Sequence, residues 1–201
     1  MRMRIDHIIL ATGPDLEAEA AAFSARTGLG VLAGGTHPAW GTRNAIVPLG
    51  GAYVELVAVA DAEVAAGSAF GRAVAAGAGS LIGWAVEPDD FLAATRRAGV
   101  DALRGERERP DGSLLSWSMA GADEALPRGL PFFLTWDAPE QSPSRAVVEH
   151  QVQPKGIAWI QLPEVDGLDA WLGPGHGLDV RTGPPRAAIA LADDGGELLV
   201  P

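Results

Sequence analysis

A β-α-β-β-β order of predicted elements recurs along this chain, and the recurrence constrains the fold more than any single motif. The first unit occupies residues 1–60 and the second residues 81–137. A third, shorter unit with the same order of elements occupies residues 156–201. Each unit combines strand-like apolar runs with one short helical segment. We therefore predict an α+β fold built from repeated units that form one compact body.

The first unit has the clearest boundaries. Residues 4–11 (RIDHIILA) form a strand that is apolar on both faces. Gly13-Pro14-Asp15 starts a helix and Gly28 ends it. Three strands follow, and Gly50-Gly51 joins the last two in a tight hairpin. The predicted ranges of these strands are 30–35, 43–49 and 52–59.

The second unit repeats this order with its own signals. Residues 81–88 form a strand, and a helix follows that begins at Asp89 or Asp90 and ends at Gly99. Three more strands are predicted, and the turn Pro110-Asp111-Gly112 joins the first two. Their ranges are 100–109, 113–120 and 130–137.

Two connections separate the units. Residues 61–80 are rich in Ala and Gly and are predicted to be helical in their middle. Residues 138–155 contain three prolines and are predicted to be an extended linker.

Charge and composition exclude several classes of protein. The net charge is −11, with 26 acidic against 15 basic residues, so the chain repels nucleic-acid phosphates and anionic membrane surfaces. There is no cysteine, which excludes disulfides, thiolate metal sites and cysteine nucleophiles. No apolar run is long enough for a signal peptide or a bilayer span. We expect a cytoplasmic protein that binds neither nucleic acid nor membranes.

Two ionisable side chains stand on strands that are otherwise apolar. His7 is expected to share a strand face with Ile5 and Ile9. Glu55 is expected to share one with Tyr53 and its apolar neighbours. A buried carboxylate costs several kcal/mol unless it is paired, hydrogen-bonded or bound to a metal. An ion pair with Arg43, or a position near an exposed rim, would also account for Glu55, and a satisfied core imidazole would account for His7.

Four segments together resemble the glyoxalase-like branch of the vicinal oxygen chelate superfamily. They cover most of the chain: IDHIILAT, GGTHPAWGTRNAIVPLGGAYVELVAV, RPDGSLLSWSMAG followed by LPFFLTWD, and EHQVQPKGIAWIQL. The superfamily also contains glyoxalase I, extradiol dioxygenases and bleomycin-resistance proteins. The resemblance implies paired βαβββ modules that curl into a half-open mixed β-barrel with flanking helices.

The resemblance also implies a divalent metal, such as Zn, Ni, Mn or Fe, held by one His or Glu from each of four strands. His7 and Glu55 match two of these positions and are the implied metal ligands and catalytic residues. The second unit departs from the pattern, because it has Gly83 or Trp84 at the place of the histidine and Leu134 or Thr135 at the place of the glutamate.

Other residues are candidates to complete a site. His37, in the loop THPAWGT, would make a site of two histidines and one carboxylate with His7 and Glu55, and His150 is an alternative donor. Arg43 and Asn44 are candidates to hold an anionic or carbonyl oxygen. Three tryptophans are candidates for an apolar wall, although core filling is the better explanation for any one of them. These tryptophans are Trp40, Trp84 and Trp136.

Two functions follow from the resemblance. One is a metal-dependent lyase, isomerase or dioxygenase that acts on a small molecule with adjacent oxygens. The other is a non-catalytic binding or resistance protein with a degenerate metal site. The retained His7 and Glu55 favour the enzyme, whereas the missing ligands of the second unit favour the binding protein. The unpaired third unit either closes the barrel within the chain or pairs with a second copy, and we expect a homodimer.

Overall fold

The structure is a computed structural model of the chain, and it describes residues 2–108, 114–192 and 195–201. The predicted turn at Pro110-Asp111-Gly112 lies outside the described residues. No described helix is long and apolar enough to cross a membrane.

Eight strands form the main sheet. The first four are β1 (Met3–Ala11), β2 (Leu32–His37), β3 (Thr42–Pro48) and β4 (Tyr53–Val59). The next four are β5 (Leu81–Pro88), β6 (Ala102–Glu108), β7 (Leu114–Ala120) and β8 (Phe132–Trp136). Their order in the sheet is β2-β3-β4-β1-β5-β8-β7-β6. Here "first module" means β1 to β4 and "second module" means β5 to β8, each with its intervening helices.

The two modules have the same strand pairing. In the first module β1 runs parallel to β4, and in the second β5 runs parallel to β8. The modules meet where β1 and β5 pair antiparallel. The sheet curls into a half-open barrel, which confirms the predicted fold class.

Helices flank both faces of this sheet. They are α1 (Leu16–Thr27), α2 (Ala62–Gly67), α3 (Ala69–Ala76), α4 (Phe91–Ala98) and α5 (Ala122–Ala125), which a short 3₁₀ turn (Leu126–Arg128) follows. Of these, α1 and α4 pack on the convex face of the sheet and α3 packs on the concave face. The predicted caps of α1 are confirmed, because the Asp15 side chain accepts a hydrogen bond from the Ala18 N–H and Gly28 is left-handed at φ 71°. Asp90 caps α4 in the same way, and Gly99 ends it.

The C-terminal segment forms a second sheet. Its elements are β9 (Pro154–Leu162), α6 (Leu168–Leu172), β10 (Val180–Thr182), β11 (Arg186–Leu191) and β12 (Glu197–Val200), and the strand order is β10-β9-β11-β12. The segment repeats the βαβββ order of elements but not the pairing, because β9 lies parallel to β10 and antiparallel to β11.

This C-terminal sheet packs onto the convex face of the main sheet, beside α1 and α4. Ile160 and Ile189 share one hydrophobic core with Phe23 of α1 and with Ile8 and Val54 of the main sheet. His7 and Ile9 flank Ile8 along β1, and Glu55 follows Val54 along β4. Because side chains alternate along a strand, these three residues face the opposite, concave side. The concave face of the barrel is therefore left for a site.

The face predicted for Ile5 is wrong. The pairing of β1 with β5 shifts between Ile5 and His7, which is a β-bulge. Ile5 consequently packs in the same core as Ile8 and Leu10 instead of beside His7. The bulge also leaves Asp6 completely buried.

Candidate active site

A cleft of about 310 Å³ lies in the concave face of the barrel, between the two modules. Aromatic and aliphatic side chains form most of its wall, and His7, His37, Asn44 and Glu55 form a polar group within it. Such a volume and mixture are typical of small-molecule sites.

His7 is held from three sides at the centre of β1. Its Nδ1 lies 2.7 Å from a carboxylate oxygen of Asp6. Its ring stacks on Tyr53, with 4.5 Å between the ring centroids, and meets the edge of Phe132. The opposite nitrogen, Nε2, lies 3.8 Å from Oε2 of Glu55. The ring is thus packed so that Nε2 faces the Glu55 carboxylate.

Glu55 is buried on β4 and is satisfied by an amide. The Asn44 side-chain N–H donates a hydrogen bond to Oε1 of Glu55. The alternative of an ion pair between Glu55 and Arg43 is wrong, because the Arg43 guanidinium binds Glu17 of α1 at 2.8 Å on the convex side. Side-chain alternation explains this result, since Arg43 and Asn44 are neighbours on β3 and point to opposite faces.

His37 is the last residue of β2 and not part of a loop as predicted. Its Nδ1 lies 3.1 Å from the Thr42 hydroxyl, and its Nε2 lies 3.9 Å from Oε1 of Glu55. The ring meets the Trp40 indole at a centroid separation of 5.4 Å. Nε2 of His37 also lies 3.5 Å from Nδ2 of Asn44. His37 therefore faces both the Asn44 amide and the carboxylate that His7 faces.

The three side chains have the donor types of a divalent metal site. Each imidazole has its Nδ1 held by a neighbouring oxygen and its Nε2 turned to Glu55, as ligating histidines do. Two ligands of a tetrahedral ion lie about 3.4 Å apart. The observed separations of 3.8 and 3.9 Å are slightly wider. Among the described residues no group of three or more His, Asp and Glu side chains could hold a metal ion as they stand. A cation shared by His7, His37 and Glu55 would therefore require these side chains to move closer together.

The second module contributes apolar groups at the matching places. Gly83 and Leu134 face the cleft side, whereas Trp84 points into the core on the other face. A Cβ atom on Gly83 would lie 2.9 Å from Leu126, in the 3₁₀ turn after α5. Leu126 thus occupies the space in front of the strand position where a second histidine would stand.

Two of the predicted substrate-binding residues lie away from the cleft. Trp84 is buried, and its indole N–H donates to the Gly129 carbonyl at 3.1 Å. Arg43 lies in a separate groove beside α1. Trp40, Trp136 and Asn44 do line the cleft. Trp84 and Arg43 occupy strand positions whose side chains point away from the cleft. The sequence alone does not reveal which alternate positions of a strand face the cleft.

His150 does not line the cleft and does not join the histidine pair. Its Nδ1 accepts a hydrogen bond from the Gly30 N–H at 3.0 Å. Burial lowers the pKa of His150, and a hydrogen bond to the Pro48 backbone opposes this shift. The hydrogen bond between His150 and Gly30 connects the linker to the first module.

Asp6 is the site residue that sequence reasoning missed. Regular strand alternation puts Asp6 on the face opposite to His7, and only the bulge brings the two side chains together. The sequence signal was present as an acidic residue next to a histidine inside an apolar strand.

The chain matches the model of the glyoxalase-like domain over residues 5–171. No curated protein matches it. Among solved structures, a hypothetical protein from Staphylococcus aureus is similar at 16% identity, with 98% of this chain and 85% of that chain covered and a TM-score of 0.61.

Two methylmalonyl-CoA epimerase structures are also similar. The Mycobacterium tuberculosis enzyme has 18% identity over 66% of this chain and 85% of that chain, with a TM-score of 0.46. A variant from Streptomyces coelicolor, in complex with 2-nitronate-propionyl-CoA, has 25% identity over 69% and 97%, with a TM-score of 0.49. The family match covers most of the sequence, and the chain belongs to the glyoxalase-like domain family of the vicinal oxygen chelate superfamily.

Proposed function

We propose that this protein is an enzyme that binds a small oxygenated molecule in the cleft and acts on it with His7 and Glu55. The reaction belongs to the lyase, isomerase or dioxygenase types of the superfamily. One observation carries the proposal: the Nε2 atoms of His7 and His37 approach the two oxygens of one buried carboxylate.

A divalent cation is part of this proposal, with His7, His37 and Glu55 as its ligands. When bound, such a cation supplies Lewis-acid stabilisation of a substrate oxyanion. Asn44 supports this role because its amide holds Glu55 in place and leaves the second carboxylate oxygen facing His7.

The protein's own groups account for binding and proton movement. The aromatic wall excludes water, which strengthens every polar contact inside the cleft. The Glu55 carboxylate lies where it can take a proton from, or return one to, a substrate atom bound beside it. Trp40, which contacts His37 and Phe70, is placed to pack against the apolar part of the ligand.

Metal analysis of protein purified without chelator tests the proposal. We expect about one divalent ion per chain, and we expect His7→Ala and Glu55→Ala to lose it. Arg43→Ala is the matched control, because Arg43 sits on the same sheet but on the convex side, and it keeps the ion. Wild-type protein that stays metal-free in added Mn, Zn, Ni and Fe would contradict the metal part of the proposal.

A non-catalytic binding protein is the second candidate, and Gly83 and Leu134 favour it. With these residues in place of ligands, the second module's side of the cleft is mostly apolar, apart from Glu106 and Asp123, and it suits sequestration of an aromatic compound. Tight binding of an aromatic probe by both wild type and Glu55→Ala, without turnover by either, would support this candidate over the enzyme.

The homodimer stays a prediction. The C-terminal sheet buries its apolar face within its own chain, so it needs no second copy for that purpose. Size-exclusion chromatography with light scattering distinguishes one chain from two.

A further inference from the structure

A buried hydrogen-bond relay joins the second module to His7. The Trp136 indole N–H donates to Oδ2 of Asp6 at 2.9 Å, and Oδ1 of Asp6 lies 2.7 Å from Nδ1 of His7. The exposed fractions of Asp6, His7 and Trp136 are 0%, 3% and 7%. Water therefore does not compete for these contacts.

The relay favours one protonation pattern of the His7 ring. An indole nitrogen can only donate, so Oδ2 of Asp6 must accept. With Asp6 as a carboxylate, Oδ1 also accepts, and His7 carries its proton on Nδ1. The unprotonated Nε2 then faces Glu55 at 3.8 Å, too far for a hydrogen bond. Two acceptors that face each other across such a gap suit a cation between them.

The bulge in β1 makes this relay possible. Side chains of consecutive strand residues normally point to opposite faces, so Asp6 and His7 would not meet. The shift between Ile5 and His7 removes that restriction and turns the Asp6 carboxylate towards both the His7 ring and Trp136. Bulges commonly redirect a side chain next to a functional site.

We propose that Asp6 and Trp136 are positioning residues that hold His7 in the Nδ1–H tautomer, with its Nε2 lone pair directed at Glu55. The inference rests on the proposed function for the role of His7, and it gives the second module a part in the site. That module supplies a tryptophan that orients a residue of the first module, in place of a ligand of its own.

The ring nitrogens of His7 report the tautomer directly. We expect ¹⁵N NMR of metal-free, ligand-free protein labelled at histidine, at about pH 8, to show that His7 carries a proton on Nδ1 and none on Nε2. The chain has four histidines, and the signal that disappears in His7→Gln identifies the residue. A wild-type spectrum with the proton on Nε2 would overturn the proposal without the need for any further variant.

Substitutions test the part played by Trp136. In Asp6→Asn the amide has one accepting oxygen, for which Trp136 and His7 compete, and the Nε2–H tautomer should grow. Adding Trp136→Phe removes the competing donor and should restore the Nδ1–H tautomer. A purely structural role for Trp136 predicts no such rescue.

Trp171→Phe is the matched control for the rescue. Trp171 is also 7% exposed, and its indole N–H donates to the Pro131 carbonyl at 2.7 Å, away from Asp6. In the Asp6→Asn background this substitution should leave the tautomer unchanged. Equal rescue by both tryptophan substitutions, or by neither, would refute the assignment of Trp136.

Zinc titration separates this inference from the proposed function. If both hold, Asp6→Asn binds Zn²⁺ about 10- to 100-fold more weakly than wild type, as loss of a partner to a ligating histidine does. If wild type binds no Zn²⁺ but shows the Nδ1–H tautomer, the metal proposal fails and the positioning role stands. Unchanged Zn²⁺ affinity in Asp6→Asn would contradict the positioning role alone.

Discussion

The two modules of the main sheet share one strand pairing but differ in what they present to the cleft. The first module presents His7 and Glu55, whereas the second presents Gly83 and Leu134 at the corresponding places. The two modules thus adopt the same strand pairing with and without an ionisable pair. The presence of that pair on one side only supports the proposal that it serves binding or chemistry.

Exchanging the polar and apolar residues of the two cleft walls should have the largest effect on the free energy of unfolding. Leu134→Glu places a carboxylate in the apolar wall without a donor such as Asn44, and we expect a loss of about 3–5 kcal/mol in the free energy of unfolding. Glu55→Leu should cost only about 1 kcal/mol, because the lost Asn44 hydrogen bond is offset by relief of carboxylate desolvation. Urea unfolding measures both values. Equal losses of unfolding free energy in the two variants would mean that the first-module and second-module walls of the cleft are not different environments.

The space in front of Gly83 offers a sharper test of the second module. A methyl group there would lie 2.9 Å from Leu126, so Gly83→Ala should lower the free energy of unfolding by about 1–3 kcal/mol. Gly51→Ala is the control, because a Cβ at Gly51 meets nothing within 4 Å. Adding Leu126→Ala should recover part of the loss. If Gly83→Ala is as harmless as Gly51→Ala, Leu126 does not fill this part of the cleft.

The linker contacts the first module through His150. This contact makes a pH-dependent contribution to the free energy of unfolding. Burial lowers the pKa of His150, so the folded state disfavours its protonation. The unfolded chain binds the proton more readily, and the free energy of unfolding should therefore fall as pH drops below about 6.5. His150→Gln keeps an acceptor for the Gly30 N–H but does not titrate, so its stability should fall less. Identical pH slopes between about pH 7 and pH 5 for both proteins would contradict this role.

The smallest effect is expected on the convex face of the first module. The Glu17 carboxyl has a lowered pKa and the Arg43 guanidinium a raised one, because the two groups hydrogen-bond each other. Both groups are in contact with solvent, where such pairs add little. Arg43→Gln should leave the urea midpoint and metal content unchanged, whereas Asn44→Ala, one residue away, should reduce metal content. A loss of metal in Arg43→Gln would mean that the two faces of β3 are not independent.

The periodic parts of the fold were predictable from the sequence. The strand predicted at residues 81–88 is β5, with the same bounds, because its apolar run is delimited on both sides by clear signals. The hairpin at Gly50-Gly51 was predictable for a similar reason, and Gly50 adopts a left-handed φ of 84°. Glu55 was placed correctly beside Tyr53 because β4 has no irregularity.

The features that depend on packing between distant strands were not predictable. Nothing in RIDHIILA shows that β1 bulges between Ile5 and His7, since the bulge arises from the pairing with β5. The choice between Gly83 and Trp84 as the cleft-facing residue depends on strand parity, which an all-apolar run does not reveal. The pairing of β9 with β10 likewise follows from packing on the convex face and not from the order of elements.

A crystal structure of the protein grown with Mn²⁺, with anomalous data, tests most directly whether His7, His37 and Glu55 form one site. We predict a single anomalous peak in the cleft, within coordination distance of Nε2 of His7, Nε2 of His37 and a carboxylate oxygen of Glu55. A cleft without a peak, or a peak that contacts none of these three side chains, would contradict the account.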